Sequence, residues 1–205
     1  MMTEEPYSMS FTTGTLLYHE SLTVAELYEE LGDWGAVRER VVDGNLLQMR
    51  TFNSSKRVCN EVISRLRELT PVQRALLREG TRQEQNYLLW LGVCKRYRFI
   101  YEFAVTVVRE KFLRLDLALG YEEYDLFFHD KAEWHPEVEA VAESTRSKQR
   151  QVIFKMMREA ELLSPENVIL PAMLSPALIE AIARDQADYL AIYPVSGADV
   201  SEWLR

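Results

Sequence analysis

The thirteen residues from Arg146 to Arg158 (RSKQRQVIFKMMR) carry five cations, Arg146, Lys148, Arg150, Lys155 and Arg158, and no acid. Cations at that density can neutralise phosphates and release the counterions condensed on a nucleic-acid backbone. At about 100° per residue, Lys148, Arg150, Lys155 and Arg158 centre roughly 110° from Arg146, while Val152, Ile153, Met156 and Met157 centre near roughly 310°. The faces oppose each other, so one can pack on a core while the other contacts phosphate. The bland alternative is a solvated face whose charges pair with the acidic stretch just before it. The absence of any acid argues against it, because a merely solvated helix alternates sign.

A second basic set comprises Arg50, Lys56, Arg57, Arg65 and Arg67, followed by Lys95, Arg96 and Arg98. Asn53, Ser54 and Ser55 beside Lys56 and Arg57 could hold a phosphate through backbone N–H groups at a helix start. Many of these cations also have ordinary acid partners one helical turn away.

Catalytic chemistry finds little support. The chain contains no G-x-G-x-x-G, Walker A, G-x-S-x-G, H-E-x-x-H or C-x-x-C sequence. His129 with Asp130 has the form of a metal-binding doublet, but no convincing upstream His or downstream Asp completes it. Cys59 and Cys94 stand far apart, indicating neither a disulfide framework nor a zinc site. The expectation is a protein without catalytic activity, cofactor, metal or small-molecule substrate.

Mainly α-helical elements must position these residues. Thr23 with Glu26 reads as a capping box for a helix stopped by Gly32, and Asp33 as the cap of a second helix ending near Gly44. Asn53 or Ser54 opens a third, with Val58, Val62, Leu66 and Leu69 on one stripe. Thr70 with Pro71 begins a helix that Gly80 ends, and Thr81 with Glu84 caps the next. The latter leads into an aromatic stretch from Tyr87 to Phe112, read as a central helix or helix pair. That row could be a base-stacking platform, but a segment apolar on nearly every side is read as core. A further helix spans about Glu122 to Trp134, and Pro136 opens a long one to about Leu163. Val168–Leu170 and Tyr189–Tyr193 read as short strands around a helix begun by Ser175 and Pro176. A basic helix, a turn and a short strand suggest a small winged-helix-like, helix-turn-helix type of element at the C-terminus.

Length and charge bound the rest. The 205 residues carry 24 Lys and Arg against 32 Asp and Glu, a net charge of −8, which excludes a generally basic nucleic-acid binder. Residues 1–37 hold seven acids and no base, 38–115 sixteen bases and eight acids, 116–145 nine acids and one base, and 159–205 eight acids and two bases. Any nucleic-acid footprint is therefore confined. The weakest boundary falls near Leu115–Glu122, dividing an N-terminal helical bundle, 1–115, from a C-terminal region, 116–205. No apolar run approaches the roughly 20 residues a membrane span needs. The acidic N-terminus is unlike a secretory signal, so a cytoplasmic protein is expected.

The order and spacing of several residue groups are specific. They are Ser10–Gly14 (SFTTG) with Leu16 and Leu17, Asp33–Trp34, Asn45 before Leu46 and Gln48, and Lys56–Arg57 followed by Glu61, Arg65 and Leu66. They continue with LLWLGVCKRYRFIYEFAVTVVREKF, Asp125–Phe128, His135–Glu137 and Ser144–Glu159. Together they resemble the BrxA family over essentially the whole chain. Proteins of that family are small components of BREX, or bacteriophage-exclusion, systems, which mark host DNA and block phage DNA replication. The resemblance implies an all-helical, NusB-like bundle that binds DNA and catalyses nothing itself. It transfers no catalytic residue, so the expected interface rests on charge: Arg146, Lys148, Arg150, Lys155 and Arg158, with a second contact at Lys56, Arg57 and Arg65. The expected ligand is duplex DNA. An adaptor role toward other BREX proteins is the main competitor, and RNA, from the NusB likeness, the third.

Overall fold

A computed structural model describes residues 6–198. Local signals start and stop most of its helices. Helix α1 (Tyr18–Leu31) ends at Gly32, whose φ of 66° is the left-handed conformation that closes a helix without Cβ strain. Asp33 caps α2 (Trp34–Asp43) by accepting the Ala36 N–H at 2.8 Å. Helix α3 (Phe52–Leu66) follows, and then α4 (Pro71–Glu79) and α5 (Arg82–Arg96), which open with the reciprocal boxes Thr70/Gln73 and Thr81/Glu84.

Two helix starts lie earlier than their capping residues suggest. The α1 helix begins five residues before Thr23, whose hydroxyl donates to the His19 carbonyl at 3.0 Å inside the helix. Thr51, rather than Asn53 or Ser54, caps α3.

The aromatic stretch is a broken central rod: α5, then α6 (Arg98–Phe103), a π-helical segment Ala104–Arg109 and α7 (Glu110–Leu113). All ten residues from Gln85 to Cys94 are buried, as expected of a core helix. Gly92 lets α5 approach α3, since a Cβ there would lie 3.2 Å from the Arg65 carbonyl oxygen. The rod's rings serve packing. Phe99 lies 5.0 Å centroid to centroid from Phe127 and Phe103 5.5 Å from it, both pairs edge-on.

Helix α8 (Tyr121–Ala132) supplies Tyr124, Phe127 and Phe128 to this cluster. The expected long helix from Pro136 is two: α9 (Pro136–Glu139), anchored by buried Val138, and α10 (Glu143–Glu159), separated by an extended Ala142 with ψ 146°. Glu161, at φ 59°, turns the chain after α10. The apolar pieces near the end form no wing. Among the described residues, Val168 and Ile169 make only isolated antiparallel bridges to Ala118 and Leu163, and Ala187–Ile192 is a 3₁₀ helix after α11 (Pro176–Gln186). Propensity for strand had no neighbouring strand to pair with, so local turns prevailed.

The molecule is a helical bundle with one continuous hydrophobic core, to which residues on both sides of position 115 contribute. The N-terminal arm, residues 7–17, ties the two sides together. Tyr7 donates its N–H to Glu137 at 2.8 Å and its hydroxyl to Glu102 at 2.6 Å, Gln149 donates to the Met9 carbonyl at 2.6 Å, and Phe11 and Leu16 are buried.

Candidate nucleic-acid interface

The cations singled out by spacing separate into three groups when their surroundings are examined. On α10, buried Gln149, Val152, Ile153, Phe154, Met156 and Met157 face the core and leave only a narrow outer stripe. Lys148, Gln151 and Lys155 occupy it at i, i+3 and i+7, all exposed. Lys148 has no ion pair among the described residues, and Lys155 approaches Glu159 only to 3.8 Å at 63% exposure. These two lysines are available to a phosphate.

Arg146 and Arg150 are not. Both point along the flank toward α8, where Arg150 donates to Asp125 and lies 4.5 Å from the Tyr121 ring centre. Arg146 pairs with Asp125 at 3.9 Å, stands 5.5 Å over Phe128 and reaches His129 at 3.1 Å. Burial pushes the neighbouring Tyr124 phenol up, so this corner carries one carboxylate between two guanidiniums. Arg158 donates to the Asn167 side chain and fastens the chain after α10. The acid absent from 146–158 is supplied to Arg146 and Arg150 by α8, and with Arg158 held by Asn167 three of the five cations expected at the interface are structural clamps.

The second set divides as well. Lys56 and Arg57 are exposed and without ion pairs among the described residues. Arg65 is a correction, because it is 3% exposed. Its Nε donates to Glu61 at 2.7 Å and its Nη groups to the carbonyls of Thr15 and Thr13. Tyr97 donates to the same Glu61 oxygen at 2.7 Å, and burial followed by that hydrogen bond pushes its phenol up. Arg65 therefore locks the arm onto α3 and cannot meet a phosphate. The Asn53–Ser55 cradle also loses two of its three N–H groups to local bonds. The Thr51 hydroxyl takes the Ser54 N–H at 3.1 Å, the Thr51 carbonyl takes the Ser55 N–H at 3.0 Å, and Ser55 is buried.

What spacing missed is the other wall of the site. Thr12, Gly14, Thr15 and Leu17 of the arm face Lys148, Gln151, Val152 and Lys155 across a cavity of about 320 Å³. Gly14, at φ 72°, permits the turn, since a Cβ there would fall 2.5 Å from Leu17. Glu159 fixes this wall by accepting the Thr15 hydroxyl and the Leu16 N–H, both at 2.8 Å. Thr15 and Leu17 also line a second cavity of about 320 Å³ with Tyr18, His19, Arg82 and Asn86, in which the Arg82 guanidinium lies 3.5 Å from the Tyr18 ring centre. His19 and Glu20 in turn line a third, about 260 Å³, against Leu46, Leu47 and Gln48. The shared residues make a chain of cavities along the arm, from α10 toward the loop before α3.

The BrxA family model matches residues 5–186. The chain belongs to the BrxA family. Among its BrxA relatives, a BREX protein BrxA of Bacillus cereus (strain H3081.97) is 24% identical over 163 residues, covering 80% of this chain and 82% of the relative. A BREX protein BrxA of Escherichia coli O9:H4 (strain HS) is 25% identical over 147 residues, covering 72% and 69%. Membership makes this chain a component of a BREX phage-defence system. The same fold occurs in a crystal structure of an uncharacterized protein from Magnetospirillum magneticum, with a TM-score of 0.80, 20% identity and coverage of 93% of this chain and all of that one. Among the described residues, no helix is long and apolar enough to cross a membrane, and no group of three or more His, Cys, Asp or Glu is placed to hold a metal ion.

Proposed function

We propose that this BrxA-family chain is a non-catalytic DNA-binding accessory component of a BREX system, acting in the cytoplasm and contacting duplex DNA mainly through its phosphate backbone. The observation that carries the reading is the pair Lys148, without an ion pair among the described residues, and Lys155, only 3.8 Å from Glu159, both exposed on a packed helix and facing Thr12 across a cavity. A cation held on a rigid element opposite hydrogen-bond donors suits a phosphate, and Lys56 and Arg57 supply further positive charge. The acidic face of α8 and α9 limits where a polyanion can dock.

Salt-titrated fluorescence anisotropy with duplex DNA, single-stranded DNA and RNA tests the reading. Duplex affinity falls steeply and linearly on a log–log scale against salt. A flat response, or a clear preference for RNA, sinks it.

A second reading is favoured by a different surface. Leu126 and Trp134, 71% and 79% exposed, flank Asp130 on α8 beside a cavity of about 460 Å³ at the π-helical segment. Exposed apolar side chains beside a cavity of mixed charge, lined by Glu110, Glu123 and Asp130 with Lys111 and Arg114, suit another BREX protein better than they suit DNA. Assembly with purified BREX proteins in the absence of any nucleic-acid affinity would favour the adaptor role.

A further inference from the structure

We propose that Phe52, with Arg50, Lys56 and Arg57 around it, is a base-stacking contact that takes an unstacked nucleotide of DNA. The inference rests on the DNA-binding reading and adds to it the state of the strand that is recognised.

Phe52 is 62% exposed at the first position of α3 and has no ring partner among the described residues. Exposed apolar side chains are ordinary one at a time, so its surroundings decide the matter. Exposed Leu126 on α8, by comparison, lines a cavity with Glu110, Glu123 and Asp130 as well as Lys111 and Arg114. The chain around Phe52 carries one sign of charge: residues 44–60 contain three cations and no acid. Lys56 lies one turn on from Phe52, with Cβ atoms about 5–6 Å apart, and Arg57 is adjacent to it. A cation therefore stands beside the ring, where the backbone of a stacked nucleotide must run. An aromatic face beside cations that track a backbone is the composition of a nucleic-acid stacking platform, and an apolar side chain so placed can also enter a base step and unstack it.

The ring is presented on a fixed support. Asn45 closes the preceding loop by donating to the Met49 carbonyl at 3.1 Å and accepting the Met49 N–H at 3.0 Å, and the Thr51 hydroxyl caps the helix directly after it. Little backbone freedom is lost when a base stacks on a side chain carried by a support fixed in this way. The loop also forms one wall of the third cavity along the arm, lined by Leu46, Leu47 and Gln48.

The test is anisotropy of the full chain on three labelled DNAs of matched length: a fully paired blunt-ended duplex, the same duplex with an unpaired bulge, and a single strand. Phe52→Ala weakens the bulged and single-stranded DNAs by roughly 5- to 150-fold, the range of one lost base–aromatic stack. It leaves the salt slope and the fully paired duplex nearly unchanged, and Phe52→Trp retains binding. A 2-aminopurine in the bulge is quenched by the wild-type chain and not by Phe52→Ala. The inference is overturned if Phe52→Ala has no effect, weakens all three DNAs equally, or alters only self-association. A wild-type chain that binds none of the three DNAs refutes the DNA-binding reading itself; one that binds with a normal salt slope while Phe52→Ala is neutral refutes only the stacking contact.

Discussion

Replacing Lys148 and Lys155 together by Gln measures whether the sorting of cations into free and clamped is correct. Of the eight cations that spacing places at the interface, four stay exposed and unclamped: Lys148, Lys56 and Arg57, without an ion pair among the described residues, and Lys155, 3.8 Å from Glu159. Four neutralised phosphates correspond to a slope of log affinity against log salt of about −3.6, whereas all eight would give about −7. Removing the two lysines should reduce the slope to about −1.8. Affinity then falls about 60-fold at about 0.1 M salt, and the difference closes toward 1 M. Arg150→Gln is the contrasting variant, because its guanidinium is already committed to Asp125 and Tyr121. It should leave the slope near −3.6 and instead lower stability by about 1–2 kcal/mol, since the carboxylate it leaves behind retains Arg146. Duplex anisotropy from about 0.05 to 0.4 M salt, with urea unfolding of each variant, reads both quantities. An unchanged slope in the double lysine variant, or an equal flattening in Arg150→Gln, refutes the assignment of α10's outer stripe as the phosphate contact.

Three further outcomes concern the frame that holds this stripe. Arg65→Met removes the buried donor to Glu61 and to the Thr13 and Thr15 carbonyls, at a cost of about 3 kcal/mol or more. At about 2–4 °C per kcal/mol, the thermal midpoint followed by circular dichroism should fall by about 6–12 °C, and a midpoint that does not move would contradict the arm's anchoring. Gly14→Ala places a Cβ against Leu17 at φ 72° and should destabilise by about 1–2 kcal/mol, with faster hydrogen exchange confined to the arm's amides. Unchanged exchange would show that the turn tolerates the side chain. Burial raises the Glu102 carboxyl's affinity for a proton, but hydrogen bonds from Lys131, Tyr7 and Arg98 outweigh it and hold the group below its ordinary 4.5. A depressed carboxylate contributes stability above its unfolded pKa and loses it as pH falls through the folded value. Wild type should therefore weaken as pH drops below about 4.5, while Glu102→Gln, weaker at neutral pH, shows a flatter acid limb in urea titrations.

The sequence alone determined what is decided within a few residues. Asp33, Thr70 with Gln73 and Thr81 with Glu84 cap their helices because a side chain bonding a backbone N–H three positions on needs no distant partner. Gly32 closes α1 for an equally local reason, and the run from Tyr87 to Cys94 had to be core because apolar residues on nearly every side leave no face for water. Thr23 shows the limit of such signals: its cap competed with an earlier start at Leu17, and burial of Ser21, Val24 and Ala25 favoured the longer helix. The charged site was only half legible. Spacing brought five cations onto one helix, but which of them remain free depends on Asp125, 25 residues from Arg150 in the chain, and on Asn167 beyond Arg158. Arg65 meets carbonyls 50 residues away, and the groove's second wall is an arm about 140 residues from α10. Ion pairing depends on distance in space and not in sequence, so the helices and the total charge were fixed by local chemistry, while the division of that charge between clamp and interface belongs to the tertiary fold.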